Sequence, residues 1–316
     1  MLNYTELSSL FHGSYSLEID GEGYISTKRS TDEQIAYAGK VRADFGEKLC
    51  YGTSVTLELE TDGKSIEFDY KFENVRSLRG GIDAWVNGRL KKVFYADETH
   101  GGHARLDLPD GNSRITIYLP CEKRTKIKNF SVDGNFKSIP PRSKRLLVMG
   151  DSITSGVGCE ITSYSYMNCF NRHYGYEILN QAVGGHAYDE GFLMPLDNYY
   201  PDKIIVSMGT NQHRANDKAE RIERFYKRLS ELYPNVPVLV ITPITRLDFN
   251  VDVKALVETC DIISKECEKY SNVSVLCGLD VLPDDNSFFA DGLHPNSLGA
   301  SIYGSALCEF ADKTGF

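Results

Sequence analysis

The hydrophobic period of this chain changes once, across Pro140-Pro141, and that change fixes which folds are open to each half. Ahead of the prolines, apolar residues alternate singly. Val55, Leu57 and Leu59 interleave with Thr56, Glu58 and Glu60; Ile66, Phe68, Tyr70 and Phe72 interleave with Glu67, Asp69, Lys71 and Glu73. A period of two sends every second side chain to one face of a strand, the pattern of antiparallel sheets with one wet face. Asp20-Gly21, Asp62-Gly63, Asn87-Gly88 and Asp110-Gly111 punctuate the runs with pairs that accept the positive φ angles of tight hairpins. Short strands with closely spaced turn signals predict a β-sandwich of jelly-roll type over residues 1–136, and no helix is expected there.

Residues 137–143 read as a linker, because consecutive prolines suit neither a helix nor a central strand. Beyond them, over 144–316, the grammar is different. Apolar runs at Leu146–Met149, Glu177–Leu179, Ile204–Met208, Val238–Ile241 and Val273–Leu276 alternate with helical patterns. Ile222, Phe225, Leu229 and Leu232 mark one helix by their three-and-four spacing. Cys260 and Cys267 mark a second, among Val253, Leu256 and Ile263, and a third is expected from Ser297 to Ala311. Strands alternating with helices imply an α/β domain with a doubly wound parallel sheet.

Four segments follow predicted strands or lie near the C-terminus: Gly150-Asp151-Ser152-Ile153-Thr154, Asn180-Gln181-Ala182-Val183-Gly184-Gly185, Gly209-Thr210-Asn211, and Asp291-Gly292-Leu293-His294-Pro295. The carboxyl ends of parallel strands share one edge, so residues distant in sequence can converge on one crevice there. A serine hydroxyl is a poor nucleophile unless a base takes its proton and donors hold the developing oxyanion. These segments contain every part that such chemistry needs.

Together the blocks resemble those of the GDSL/SGNH hydrolase family, from about Lys144 to Phe316. The resemblance implies a flavodoxin-like fold with Ser152 as nucleophile, His294 as base and Asp291 orienting the imidazole. It implies an oxyanion hole made of the backbone N–H of Ser152, the backbone N–H of Gly185 and the side chain of Asn211. The family's third block commonly ends in aspartate where this chain has Gln212, a change expected to touch loop hydrogen bonding more than chemistry. A sandwich ahead of such a domain is similar to the second carbohydrate-esterase family, which implies a serine esterase removing small acyl groups, acetyl first, from carbohydrates. A lipase, lysophospholipase or thioesterase of the same family, or an idle sugar-binding protein, are the alternatives.

Composition excludes other classes. The net charge of −9 opposes nucleic-acid binding, and no apolar run approaches the roughly 18 residues that span a bilayer. No secretory signal is visible after Met1, so a cytoplasmic location is expected, with eight reduced cysteines. The expected partner is a small-molecule or oligosaccharide ester; no cofactor and no metal are expected. His100 and His103 flank Gly101-Gly102, with His12 and Asp97 as possible companions on a metal, but a plain loop is the preferred reading. His186, His213, Tyr164, Tyr166 and Tyr188 lie beside the blocks without an assigned role, and Trp85 is expected in the core rather than as a sugar platform.

Overall fold

The computed structural model describes residues 1–95 and 100–316. Two antiparallel sheets form the first part of the chain. One has the order Phe11–His12, Thr56–Thr61, Ser113–Tyr118, Ile82–Val86, Arg89–Phe94, with Phe136–Ser138 added beside Thr56–Thr61. The other runs Ser16–Ile19, Ile25–Lys28, Arg124–Val132, Ser65–Glu73, Gly101–Asp107. Their facing side chains, among them Leu57, Leu59, Phe68, Ile117 and Phe130, make one core, so this part is a β-sandwich. Asn87 and Gly88 both have positive φ and join two strands as a two-residue hairpin. Antiparallel pairing continues through Ser138, into the stretch read as linker, because Phe136–Ser138 still finds an open edge at Thr61–Leu59.

Two features of this half depart from the sequence reading. It contains helices: α1 (Tyr4–Ser8), α2 (Asp32–Val41) and α3 (Phe45–Lys48). Thr31 caps α2 by accepting from the N–H of Gln34, whose side chain returns a bond to the N–H of Thr31. The strand Thr56–Thr61 is also buried on both faces, not one: Thr56 and Glu58 are inaccessible along with Leu57 and Leu59. The outer face of its sheet is covered by the second half, and Arg142 places its guanidinium on both carboxylate oxygens of Glu58, at 2.8 and 2.7 Å.

The second half is a five-stranded parallel sheet ordered Glu177–Asn180, Arg145–Gly150, Lys203–Ser207, Val238–Ile241, Val273–Leu276. The order 2-1-3-4-5 is flavodoxin-like. Helices α5 (Tyr166–Tyr174) and α8 (Ser297–Thr314) pack with each other on one face; α6 (Lys218–Leu232) and α7 (Val253–Cys267) pack on the other, and α4 (Ser152–Ser155) is a single turn at the strand end. Leu146 and Val148 enter one core layer while Leu147 and Met149 enter the other. That is why the central strand reads as an unbroken apolar run.

The halves are joined by a small apolar cluster, Ala38, Phe45 and Leu49 with Val183 and Phe192, and by polar contacts. Arg29, fully buried, donates to the carbonyls of Tyr51, Lys48, Asn180 and Ala182. His12 meets Glu177 at 3.0 Å, and the Ser163 N–H donates to the buried Asp83 at 2.6 Å.

Candidate active site

Each of the four sequence blocks arrives at the carboxyl edge of the parallel sheet by a backbone device. Strand Arg145–Gly150 turns directly into α4, with Asp151 capping the Ile153 N–H at 3.0 Å. A Cβ on Gly150 would come within 2.3 Å of Thr154 Oγ1, so only glycine allows so tight a passage. Ser152 stands at the first helical position, where its own N–H has no carbonyl one turn back. Asn211 sits in the 3₁₀ turn Thr210–Gln212, entered through Gly209 at φ 124°. The loop carrying Asp291 and His294 is closed by a bridge between Phe289 and Pro295 and ends at Asn296, the cap of α8.

These segments meet. Ser152 Oγ lies 2.9 Å from His294 Nε2, and His294 Nδ1 lies 2.8 Å from Asp291 Oδ2. The other oxygen, Asp291 Oδ1, accepts from the backbone N–H groups of His294 and Leu293 at 2.8 and 3.0 Å, which fixes the carboxylate against the ring. Burial pushes the Asp291 carboxyl upward, but the backbone and side-chain hydrogen bonds of His294 and the N–H of Leu293 outweigh it and hold the group below its ordinary range. It therefore stays ionised beside the imidazole. Ser152 is buried, and the His294 side chain is 15% exposed and lines the pocket.

Val183, Gly184, Gly185 and His186 form a turn closed by His186 N–H to Val183 C=O at 2.9 Å. Gly185 has φ 92°, a conformation that side chains other than glycine's rarely adopt. Among the described residues, no acceptor takes its N–H. Asn211 Nδ2 donates one hydrogen to the His186 carbonyl at 2.8 Å, which orients the amide and leaves its second hydrogen available. Ser152, His294, Gly184, Gly185 and Asn211 all line a pocket of 330 Å³.

The sandwich half supplies much of the remaining wall of that pocket: Arg42 from the end of α2, Lys48 from α3, and Tyr51, Arg76 and Glu122 from loops. Sequence reasoning did not find these residues. Asp44 gathers the three cations, with Arg42 at 2.6 Å, Lys48 at 2.8 Å and Arg76 at 3.5 Å, and the Arg42 bond above all holds its carboxyl well below the usual range. The one available signal was the Thr31-x-x-Gln34 capping box, which announces the helix carrying Arg42.

The remaining candidates lie elsewhere. His186 is buried between Phe45 and Phe192, and burial lowers its pKa to about 4. His213 bonds the Thr210 carbonyl at 2.7 Å. His12 and His103 sit in different sheets, the latter 2.8 Å from Asp69, so they do not converge on one ion; Asp97 lies outside the described residues. Trp85 is part-buried where the halves meet, with the Arg172 guanidinium 4.5 Å above its ring, so one face of the ring is already taken. Tyr166 stacks on Tyr303, Tyr188 bonds Tyr226, and Tyr164 meets Trp85 edge-on. Gln212 accepts the Tyr188 N–H at 2.7 Å, so the residue standing where the family has aspartate does serve loop hydrogen bonding.

A flavodoxin-like sheet with a serine bonded to a histidine at its carboxyl edge places the molecule among the α/β acyl hydrolases. Residues 148–302 match the model of the GDSL-like lipase/acylhydrolase family, so this part of the chain is a domain of that kind. Solved structures of similar fold include the salicylyl-acyltransferase SsfX3 from a tetracycline biosynthetic pathway, 16% identical with a TM-score of 0.79 over 96% of this chain and 94% of that one. A family two carbohydrate esterase from Cellvibrio japonicus is 15% identical, with a TM-score of 0.65 over 96% of this chain and 94% of its own. Another, from Clostridium thermocellum in complex with cellohexaose, is 16% identical, with a TM-score of 0.63 over 84% of this chain and 94% of its own. At such identities the likeness is one of fold. No curated protein matches the chain.

Proposed function

We propose that the protein is a serine esterase that hydrolyses small acyl esters, acetyl first, on carbohydrates. The observation that carries this reading is the continuous hydrogen-bonded chain from Ser152 through His294 to Asp291 at the pocket floor. His294 takes the hydroxyl proton as Ser152 Oγ attacks the ester carbonyl, and Asp291 keeps the ring in the tautomer whose Nε2 is free to accept it. The oxyanion is met by the N–H groups of Ser152 and Gly185 and the second amide hydrogen of Asn211. The C–O bond to the sugar then breaks, His294 returns the proton to the departing alcohol, and an acyl-serine remains. Water, deprotonated by the same imidazole, releases the acid.

Carbohydrate as substrate is supported by the two-part layout shared with family two carbohydrate esterases, one of them solved with cellohexaose bound. A small acyl group fits a pocket of 330 Å³ whose rim carries Arg42, Lys48, Arg76 and Glu122. The test is acetate release from a panel of acetylated mono- and oligosaccharides, run beside acetyl and octanoyl aryl esters. Acetylated sugars should be preferred and Ser152→Ala should be inactive while folded. A preference for octanoyl would replace the acetyl reading with a lipase or thioesterase one, and undiminished turnover by Ser152→Ala would remove the mechanism.

A further inference from the structure

The carbonyl of Gly184 and the N–H of Gly185 belong to one peptide unit, and two cations from the sandwich half are fastened to that carbonyl. Lys48 Nζ donates to Gly184 O at 2.8 Å, and Arg42 Nη2 donates to the same oxygen at 3.2 Å. Both cations are themselves anchored. Asp44 holds them from below, and the Arg42 guanidinium rests 4.0 Å above the Phe45 ring.

The location matters because this peptide is the middle one of a β-turn. With the 4→1 bond from His186 to Val183 and φ of 92° at Gly185 but not positive at Gly184, the turn is of type II. Types I and II differ by a flip of the central peptide, which reverses the directions of its C=O and N–H. A pair of glycines accepts either orientation at little steric cost, so the local sequence leaves the flip undecided. In a planar trans peptide the two groups point opposite ways. Whatever grips the carbonyl therefore aims the N–H, and a cation on the oxygen also polarises the amide, making it a better donor.

We infer that Lys48 and Arg42 are positioning residues that lock the Gly184–Gly185 peptide so that the Gly185 N–H faces the oxyanion. The sandwich half thereby takes part in the chemistry without touching the reacting atoms. This rests on the proposed role of Gly185 in the esterase mechanism.

The experiment compares Lys48→Met, Lys48→Arg, Arg42→Gln and Ser152→Ala by steady-state kinetics on an acetyl aryl ester and on its thionoester. Sulfur is a poor hydrogen-bond acceptor, so thionoester turnover depends little on the hole. Lys48→Met is expected to lower kcat on the ester about 10–100-fold, below the 10²–10³ of deleting a donor outright, with KM little changed. The ester-to-thionoester rate ratio should fall by a similar factor. Lys48→Arg should restore most of the loss, and Arg42→Gln should show a smaller drop of the same kind. Equal losses on both substrates, or unchanged kinetics in both Lys48→Met and Arg42→Gln with Ser152→Ala inactive, would overturn the positioning role alone. Full activity in Ser152→Ala would overturn it together with the mechanism beneath it. Should Lys48→Met fail to fold, Arg42→Gln, at a half-exposed side chain, carries the same comparison.

Discussion

Asp291 earns its place through three bonds at once: two backbone N–H groups fix one oxygen and leave the other for the His294 ring. Asp291→Asn keeps the shape but offers the ring an amide, and kcat should fall about 10⁴-fold, the loss that accompanies the wrong imidazole tautomer. Asn211→Ala removes one of the proposed oxyanion donors and should lower kcat about 10²–10³-fold with little change in KM, read from initial rates. These residues were legible in the sequence because each stands in a short block whose order and strand context mark it. Arg42 and Lys48 were not. Nothing in Gly39-Lys40-Val41-Arg42 or Glu47-Lys48-Leu49 signals chemistry, and their meaning comes only from the Gly184 carbonyl, more than a hundred positions away.

Among elements, the parallel strands were read almost residue for residue, since burial on both faces leaves an apolar run that only a central strand explains. The helix α2 escaped the periodicity because it buries so little hydrocarbon: Gln34 and Ala38 are its buried positions, and the Gln34 amide bonds the Phe192 carbonyl across the halves at 3.2 Å. Its apolar face is limited to Ile35, Tyr37 and Ala38 against Phe45, Leu49, Val183 and Phe192, too short a stripe for a pattern search to find. Thr31→Ala should destabilise the protein by about 1 kcal/mol in urea unfolding, the usual loss of a side-chain cap. The Gln212 bond to the loop after Gly185 has a parallel test. Gln212→Ala leaves the Tyr188 N–H buried without an acceptor and should cost about 1–3 kcal/mol.

At the level of the whole molecule, the two halves share buried polar groups beside a small apolar cluster of Ala38, Phe45 and Leu49 with Val183 and Phe192, and through the titratable groups among them stability should depend on pH. Asp83 is buried in the sandwich, with one oxygen on the Ser163 N–H and the other unpartnered. Burial raises its pKa from 3.8 to about 6, against the pull of its Ser163 hydrogen bonds and of Arg172. A carboxyl raised in the folded state binds its proton more tightly there than in the unfolded chain. The stability it lends is full below about pH 4 and is lost as pH rises through about 6. Asp83→Asn removes that titration, so relative to the wild type its stability should rise between pH 4 and 8, by up to about 3 kcal/mol. Thermal melts across that range would show it, and parallel curves would refute it. The two-part order was readable from the change of period, whereas the shared pocket was not, because hydrophobic patterns report what each half buries within itself.

The most direct trial of the account is active-site labelling with a fluorophosphonate, followed by intact-mass measurement and peptide mapping. The account predicts one adduct, on Ser152, formed in step with loss of esterase activity and absent from Ser152→Ala. Activity lost through an adduct on another residue, or retained while Ser152 is fully modified, would contradict it.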